Sequence, residues 1–201
     1  MLPRSRTKSL RRQVRIIGGL WRGRKVDFPA RPELRPTPDR IRETLFNWLQ
    51  PVISGARCLD LFAGSGVLGL EARSRGAAAV VMVEEDLRAY QAIQAQIEYF
   101  SAEKIEVVAG DALAYLRGSA QSFDIAFLDP PFESSLLEPC CAYLEYGGWL
   151  TPGAYIYLEA WRRSPLPPLP VTWTLLHSKQ AGEIGYYLAR RTSNAPGAEA
   201  E

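Results

Sequence analysis

From Ala56 onward, short apolar runs alternate with segments that carry a single apolar stripe. The runs lie at 57–62 (RCLDLF), 78–84 (AAVVMVE), 104–110 (KIEVVAG) and 123–129 (FDIAFLD), and the segments 67–75, 86–100 and 111–117 between them read as helices. Strands apolar at nearly every position are covered on both faces, which predicts a mostly parallel sheet with helices on each side, an α/β fold. After about Gly147 the pattern changes. Runs at 154–160, 171–178 and 182–190 read as strands, and the last two are too close for a crossover, so they predict an antiparallel hairpin at the sheet edge. No internal repeat is present.

The amino-terminal part has a different pattern. Residues 1–13 lack apolar periodicity and read as a flexible basic arm. The stretch 14–28 (VRIIGGLWRGRKVDF) reads as a small hairpin bearing Arg15, Arg22, Arg24 and Lys25. A Pro-rich stretch then ends at Thr37-Pro38, predicted as N-cap and first residue of a helix whose apolar positions Ile41, Leu45, Trp48 and Leu49 share one face. The expected division is a basic arm 1–13, a basic hairpin and helix 14–50, a catalytic domain 51–191 and a disordered tail 192–201.

Charge sharpens this division. Residues 1–42 hold 13 Lys or Arg against 3 acidic residues, whereas the rest of the 201-residue chain holds 11 against 19. Such asymmetry points to a polyanionic partner met by the basic part, because each cation placed on a phosphate releases counterions. A transit peptide would also be Arg-rich, but strand and turn signals follow Val14 where a targeting helix would continue. Hydrophobic residues make up 47% of the chain, enough for a sizeable core, and no apolar run reaches membrane-spanning length. A cytoplasmic protein is expected. Cys58, Cys140, Cys141 and the single histidine, His177, have neither metal-ligand nor redox spacing, so they read as buried small residues and a strand histidine, with no metal expected.

The candidate chemistry begins where the first catalytic-domain strand meets DLFAGSGVLGLEA. Gly64, Gly66 and Gly69 form G-x-G-x-x-G between strand and helix, a turn that brings backbone close to a ligand at a helix start. Twenty residues after Gly64 stands Glu84, placed for ribose hydroxyls, so a nucleoside-containing cofactor is implied. A dinucleotide fits the glycines equally well. Against it, Asp60 at the strand end suits a cationic group better than a pyrophosphate, and the fourth strand delivers Asp129-Pro130-Pro131-Phe132 to the same crevice. Asp60, Glu84 and Asp111, with Ala112 beside it, suit the amino, ribose and base ends of S-adenosylmethionine. Phe62 either flanks that cofactor or is a buried strand-end aromatic. Trp21 stacks on a base or, preferably, fills the hairpin core, and Tyr186 and Tyr187 are assigned to the core.

DLFAGSG with an acidic second-strand end and DPPF resembles the class I methyltransferases that modify exocyclic or amide nitrogens. RIIGGLWRGRK, RPTPDRIRETLFNWL, LDLFAGSGVLGLEA and AGEIGYYLAR further resemble the bacterial 16S ribosomal RNA guanine-N2 methyltransferase family from Val14 to Arg190. The catalytic motif alone is shared with adenine-N6 DNA enzymes and glutamine methyltransferases; the basic amino-terminal blocks favour the RNA family. The resemblance implies a Rossmann-like seven-stranded sheet, S-adenosylmethionine as cofactor, and one guanine of 16S rRNA, on the small subunit or its precursor, as substrate of a monomeric enzyme. A DNA adenine-N6 methyltransferase and a non-catalytic ribosome-assembly factor are the alternatives.

The chemistry of DPPF follows from the amine. An exocyclic guanine amine is a poor nucleophile because its lone pair is delocalised into the ring. Hydrogen bonds from its N–H groups to Asp129 and to the Pro130 carbonyl favour a pyramidal nitrogen aimed at the methyl donor, and two prolines hold that carbonyl rigid. Asp129 is also placed to take the departing proton. Phe132 can stack on the base, which must be unpaired or flipped out. Arg15, Arg22, Arg24, Lys25, Arg35 and Arg40 are the candidate phosphate contacts.

Overall fold

The computed structural model describes residues 11–30, 36–131, 134–164 and 166–192. The expected residues 1–10, Arg35, Phe132 and the tail from Ser193 lie outside the described residues; Thr192, expected in the disordered tail, instead donates its amide to the Thr172 carbonyl at 2.7 Å.

Among the described residues, nine strands and five α-helices follow one another along the chain. Strands β1 (Arg11–Arg15) and β2 (Lys25–Pro29) form the amino-terminal hairpin, and α1 (Asp39–Leu49) follows. Then come β3 (Arg57–Asp60), α2 (Val67–Ser74), β4 (Ala79–Glu84), α3 (Leu87–Phe100), β5 (Ile105–Ala109), α4 (Ala112–Leu116), β6 (Phe123–Leu128), α5 (Leu137–Tyr146), β7 (Leu150–Trp161), β8 (Trp173–Ala181) and β9 (Ile184–Arg191). The main sheet has the order β5-β4-β3-β6-β7-β9-β8. β5, β4, β3, β6 and β7 are parallel, and β9 and β8 add antiparallel at one edge, as expected. The strand order reverses between β3 and β6, and this switch point places a crevice beyond their carboxyl ends.

The apolar strands feed both faces because successive side chains alternate. Cys58, Val80, Met82, Ile125 and Phe127 join the core under α1, α2 and α3. Leu59, Val81, Val83, Ala126 and Leu128 join the core with α4 and α5. The sequence pattern predicts no helix between the fourth strand and Gly147, yet α5 fills that place with Leu137, Cys140, Cys141 and Leu144 buried. Its signal was weak because a proline, Pro139, stands in the first turn, where a missing N–H costs nothing. Glu145 of α5 accepts from Trp173 Nε1 at 2.7 Å and Arg191 Nε at 2.8 Å, pinning the edge hairpin to the helix.

Two amino-terminal expectations change. β1 begins at Arg11, so residues 11–13 are paired strand and not part of a flexible arm; Gln13 Nε2 also donates to Asp27 across the hairpin at 2.7 Å. Thr37 does not cap α1. The helix begins at Asp39 with no side-chain cap, and the Thr37 hydroxyl turns inward to the carboxylates described below. Trp21 fills the core, stacked on Phe100 of α3 with centroids 5.0 Å apart. Cys58, Cys140 and Cys141 are buried free thiols, and His177 stacks on Trp48 from strand β8. Tyr186 is buried and Tyr187 packs against the second core. No described helix is long and apolar enough to cross a membrane.

Candidate active site

Five strand ends and the turns after them build the site. Beyond β3 the backbone makes the glycine turn. Gly66, at φ +74°, occupies the left-handed region at the helix start, and a Cβ there would stand 2.9 Å from Ile93 Cγ1. Gly69 serves packing instead. A Cβ there would lie 2.6 Å from Met82 Sδ, so its absence lets α2 lie directly on β4.

The predicted cofactor carboxylates frame this turn. Asp60 is buried at the end of β3 and accepts from the Gly69 amide at 3.2 Å. Burial is the main reason its carboxyl is pushed up to about 7, against hydrogen bonds from the Gly69 and Phe62 amides and reinforced by Glu84 and Glu159. Glu84 ends β4 and accepts from the Gly64 amide at 2.6 Å and the Asp86 amide at 2.8 Å. Its carboxylate thus ties the glycine turn to the start of α3 and keeps lone pairs on each oxygen for further donors. Burial raises its proton affinity as well. Asp111 is exposed and caps α4 through the Ala114 amide at 2.8 Å, and Ala112 behind it is buried. Phe62 is half-buried and packs against the second core.

The fourth strand brings Asp129 to the same place. Asp60 pairs with Phe127 and Leu128 pairs with Leu158, so Asp129 leaves the sheet between the ends of β3 and β7. Burial first, then the nearby Glu159 and Asp60 charges, hold its carboxyl well above the usual carboxylate range. Pro130 is buried, Pro131 exposed, and both line a cleft of about 180 Å³ with Ser134, Glu159, Ala160 and Trp161.

Three residues of this site, Thr37, Tyr157 and Glu159, are not marked as functional by the sequence pattern. Glu159 is buried beside Asp129, its Oε1 accepting from Thr37 Oγ1 at 2.9 Å and Tyr157 Oη at 2.8 Å. Burial pushes Glu159 up to about 7 despite those two donors. Thr37 Oγ1 is also 3.4 Å from Asp129 Oδ2. The available signal was Glu159 itself, a lone carboxylate inside the apolar run AYIYLEA.

The basic residues separate by role. Arg22, Lys25 and Arg40 are exposed, and Arg15 is exposed with Asp39 3.6 Å from its guanidinium. Arg24 is instead folded against α3, donating to the Tyr99 carbonyl at 3.1 Å with its guanidinium 4.2 Å from the Phe100 ring centre. Arg42, not predicted, is fully buried and binds Glu71, Asp39 and the carbonyls of Thr37 and Arg15. Glu71 of α2 in turn accepts from the Ile17 and Gly18 amides, each at 2.7 Å, and pairs with Arg75 at 2.8 Å.

A doubly wound sheet with an acidic glycine turn and an Asp-Pro-Pro loop meeting at its switch point defines a Rossmann-like methyltransferase of class I. The chain belongs to the family described as Conserved hypothetical protein 95, whose model matches residues 14–190. It is 48% identical over 179 residues to ribosomal RNA small subunit methyltransferase D of Escherichia coli K12, covering 89% of this chain and 90% of that protein. The Haemophilus influenzae protein of the same name is 43% identical over 186 residues, with 90% and 96% covered. Among solved structures, yhhF from Escherichia coli, 44% identical, matches with a TM-score of 0.85 over 90% of this chain and 99% of that one.

Proposed function

We propose that the chain is an S-adenosylmethionine-dependent methyltransferase that converts one guanine of small-subunit ribosomal RNA to N2-methylguanine, on the subunit or an assembly intermediate in the cytoplasm. The observation that carries this reading is the meeting of Asp129-Pro130-Pro131 with Asp60 and Glu84 at the switch point, in a chain whose relatives are named for small-subunit ribosomal RNA. The residues suit the donor. Asp60, Glu84, Asp129 and Glu159 pair with no cation among the described residues, and a molecule carrying ammonium and sulfonium charges supplies what they lack.

When bound, S-adenosylmethionine supplies an electrophilic methyl on sulfonium. Asp60 accepts from its amino group, Glu84 from the ribose hydroxyls, and Asp111 with Ala112 meets the adenine, Phe62 covering one side. Asp129 and the Pro130 carbonyl accept the two N–H bonds of the target amine, holding its lone pair in line, while Pro131 stiffens the loop and Phe132 stacks on the base. Arg15, Arg22, Lys25, Arg35 and Arg40 hold RNA phosphates, and Arg24 braces the hairpin that carries them.

The test is transfer of a radiolabelled methyl group to small subunits lacking the modification. Label on the ribosomal RNA supports the reading; label on duplex DNA favours an adenine-N6 enzyme, and no label a binding factor.

A further inference from the structure

We propose that Thr37 and Glu159 form with Asp129 a proton relay that carries the proton released by the methylated amine away from the reacting nitrogen. The inference rests on the reading of Asp129 as the group that grips the target amine.

The geometry fixes the direction of the relay. Glu159 Oε1 lies 2.9 Å from Thr37 Oγ1 and 2.8 Å from Tyr157 Oη, so two hydroxyls donate to it, an arrangement made for an ionised carboxylate. The single Thr37 proton is thereby committed to Glu159. The same hydroxyl can donate to Asp129 Oδ2, but at the longer distance of 3.4 Å; with its proton on the nearer Glu159, it accepts from Asp129 once that carboxyl is protonated. Each group comes from a different element: Thr37 from the segment before α1, Asp129 from the end of β6, Glu159 and Tyr157 from β7. The charged and titratable groups around them are Asp60 of β3, Tyr186 of β9 and Arg42, which holds the Thr37 carbonyl at 3.1 Å. Burial strengthens proton binding at both carboxyls, which suits groups that must hold a proton in turn.

The step balances. The amine nitrogen forms a bond to the methyl carbon as that carbon's bond to sulfur breaks, leaving a neutral thioether and a cationic nitrogen. The nitrogen gives one proton to Asp129 Oδ2, Asp129 donates it to Thr37 Oγ1, and the original Thr37 proton passes to Glu159 Oε1. Asp129 and Thr37 return to their starting forms and Glu159 leaves the turnover protonated, to be discharged to solvent.

Thr37→Val, Thr37→Ser and Glu159→Gln test the relay alongside the wild type. Expected are a fall in kcat of about tenfold or more for Thr37→Val and Glu159→Gln, with KM for subunits unchanged and the rise of kcat with pH through Glu159 ionisation lost. Thr37→Ser restores both, since it keeps the hydroxyl. In the protein without methyl donor, carrying ¹³C-carboxyl glutamate, Thr37→Val moves the Glu159 titration to higher pH, because a donor to the carboxylate is gone. Unchanged kcat and pH profile in both variants, failure of Thr37→Ser to restore them, or an unmoved Glu159 titration overturns the relay while leaving the guanine reading intact. Absence of label with the wild-type enzyme overturns that reading and the relay with it.

Discussion

At the scale of single residues, the site is a set of carboxyls at the strand ends, Asp60 and Glu84 held by backbone amides and Glu159 by two hydroxyls. That arrangement has a cost that depends on pH. Asp60 binds its proton more tightly in the folded chain, to about 7, than its ordinary value of 3.8, so its contribution to stability is complete below about 4 and lost as pH rises through about 7. Glu159, raised to about 7 from 4.5, acts in the same direction. The donor-free protein is expected to lose thermal stability between about pH 4 and pH 7, and Asp60→Asn to flatten that slope; differential scanning calorimetry across that range checks it, and a slope equal to wild type would remove Asp60 as its source. Asp129→Ala separates binding from chemistry. We expect donor affinity by calorimetry to stay within about threefold while methyl transfer falls at least about a hundredfold. Asp60, Glu84 and Asp129 were legible in the sequence because each ends an apolar strand. Thr37 reads as a helix cap in the sequence, because its hydroxyl's partner lies 122 residues further along the chain and no local pattern announces it.

At the scale of elements, the parallel strands are legible in their continuous apolar runs, the helices α2, α3 and α4 in their apolar stripes, and the edge hairpin in the short interval between its strands, whereas α5 is not. What local sequence did not reveal is how the amino-terminal hairpin is fastened. Arg42 and Glu71 are fully buried, one in α1 and one in α2, and together they hold the backbone at Arg15, Ile17, Gly18 and Thr37. Each looks like an ordinary polar position on its own helix; only the packing of α1 against α2 brings them together. Glu71→Gln leaves the buried Arg42 with Asp39 as its remaining counter-charge and takes the carboxylate from the partly buried Arg75, and is expected to lower stability by about 3 kcal/mol, the low end for a broken buried pair. Denaturant unfolding measures this, and a loss under about 1 kcal/mol would show that the network is dispensable. Gly66→Ala tests the turn itself: the left-handed backbone and the approach of Ile93 are expected to weaken donor binding and lower the melting temperature together.

At the scale of the whole molecule, a basic hairpin and an acidic crevice are parts of one packed body, since Val14, Ile16, Trp21, Val26 and Phe28 share a core with Leu45, Phe46 and Phe127. The charge asymmetry along the chain is therefore contained within one packed structure, and the proposed function assigns its exposed cations to phosphates and its buried carboxyls to the donor. Replacing Arg22 and Lys25 by Ala should flatten the dependence of RNA affinity on salt by about 1.4–1.8 logarithmic units per decade, at the slope expected for two lost phosphate contacts, without changing the melting temperature. Arg24→Ala should lower the melting temperature, because its guanidinium is packed on Phe100. Binding measured over a range of salt concentrations separates these roles, and a double variant with the wild-type slope would dismiss the hairpin as a phosphate contact. The chemical identity of the product tests the proposed reaction at its centre. Small subunits from cells lacking the modification, incubated with S-adenosylmethionine and the protein, are digested to nucleosides and analysed by mass spectrometry. N2-methylguanosine is expected with the wild type and none with Asp129→Ala; a different methylated nucleoside, or undiminished product from the variant, would rule out the proposed reaction.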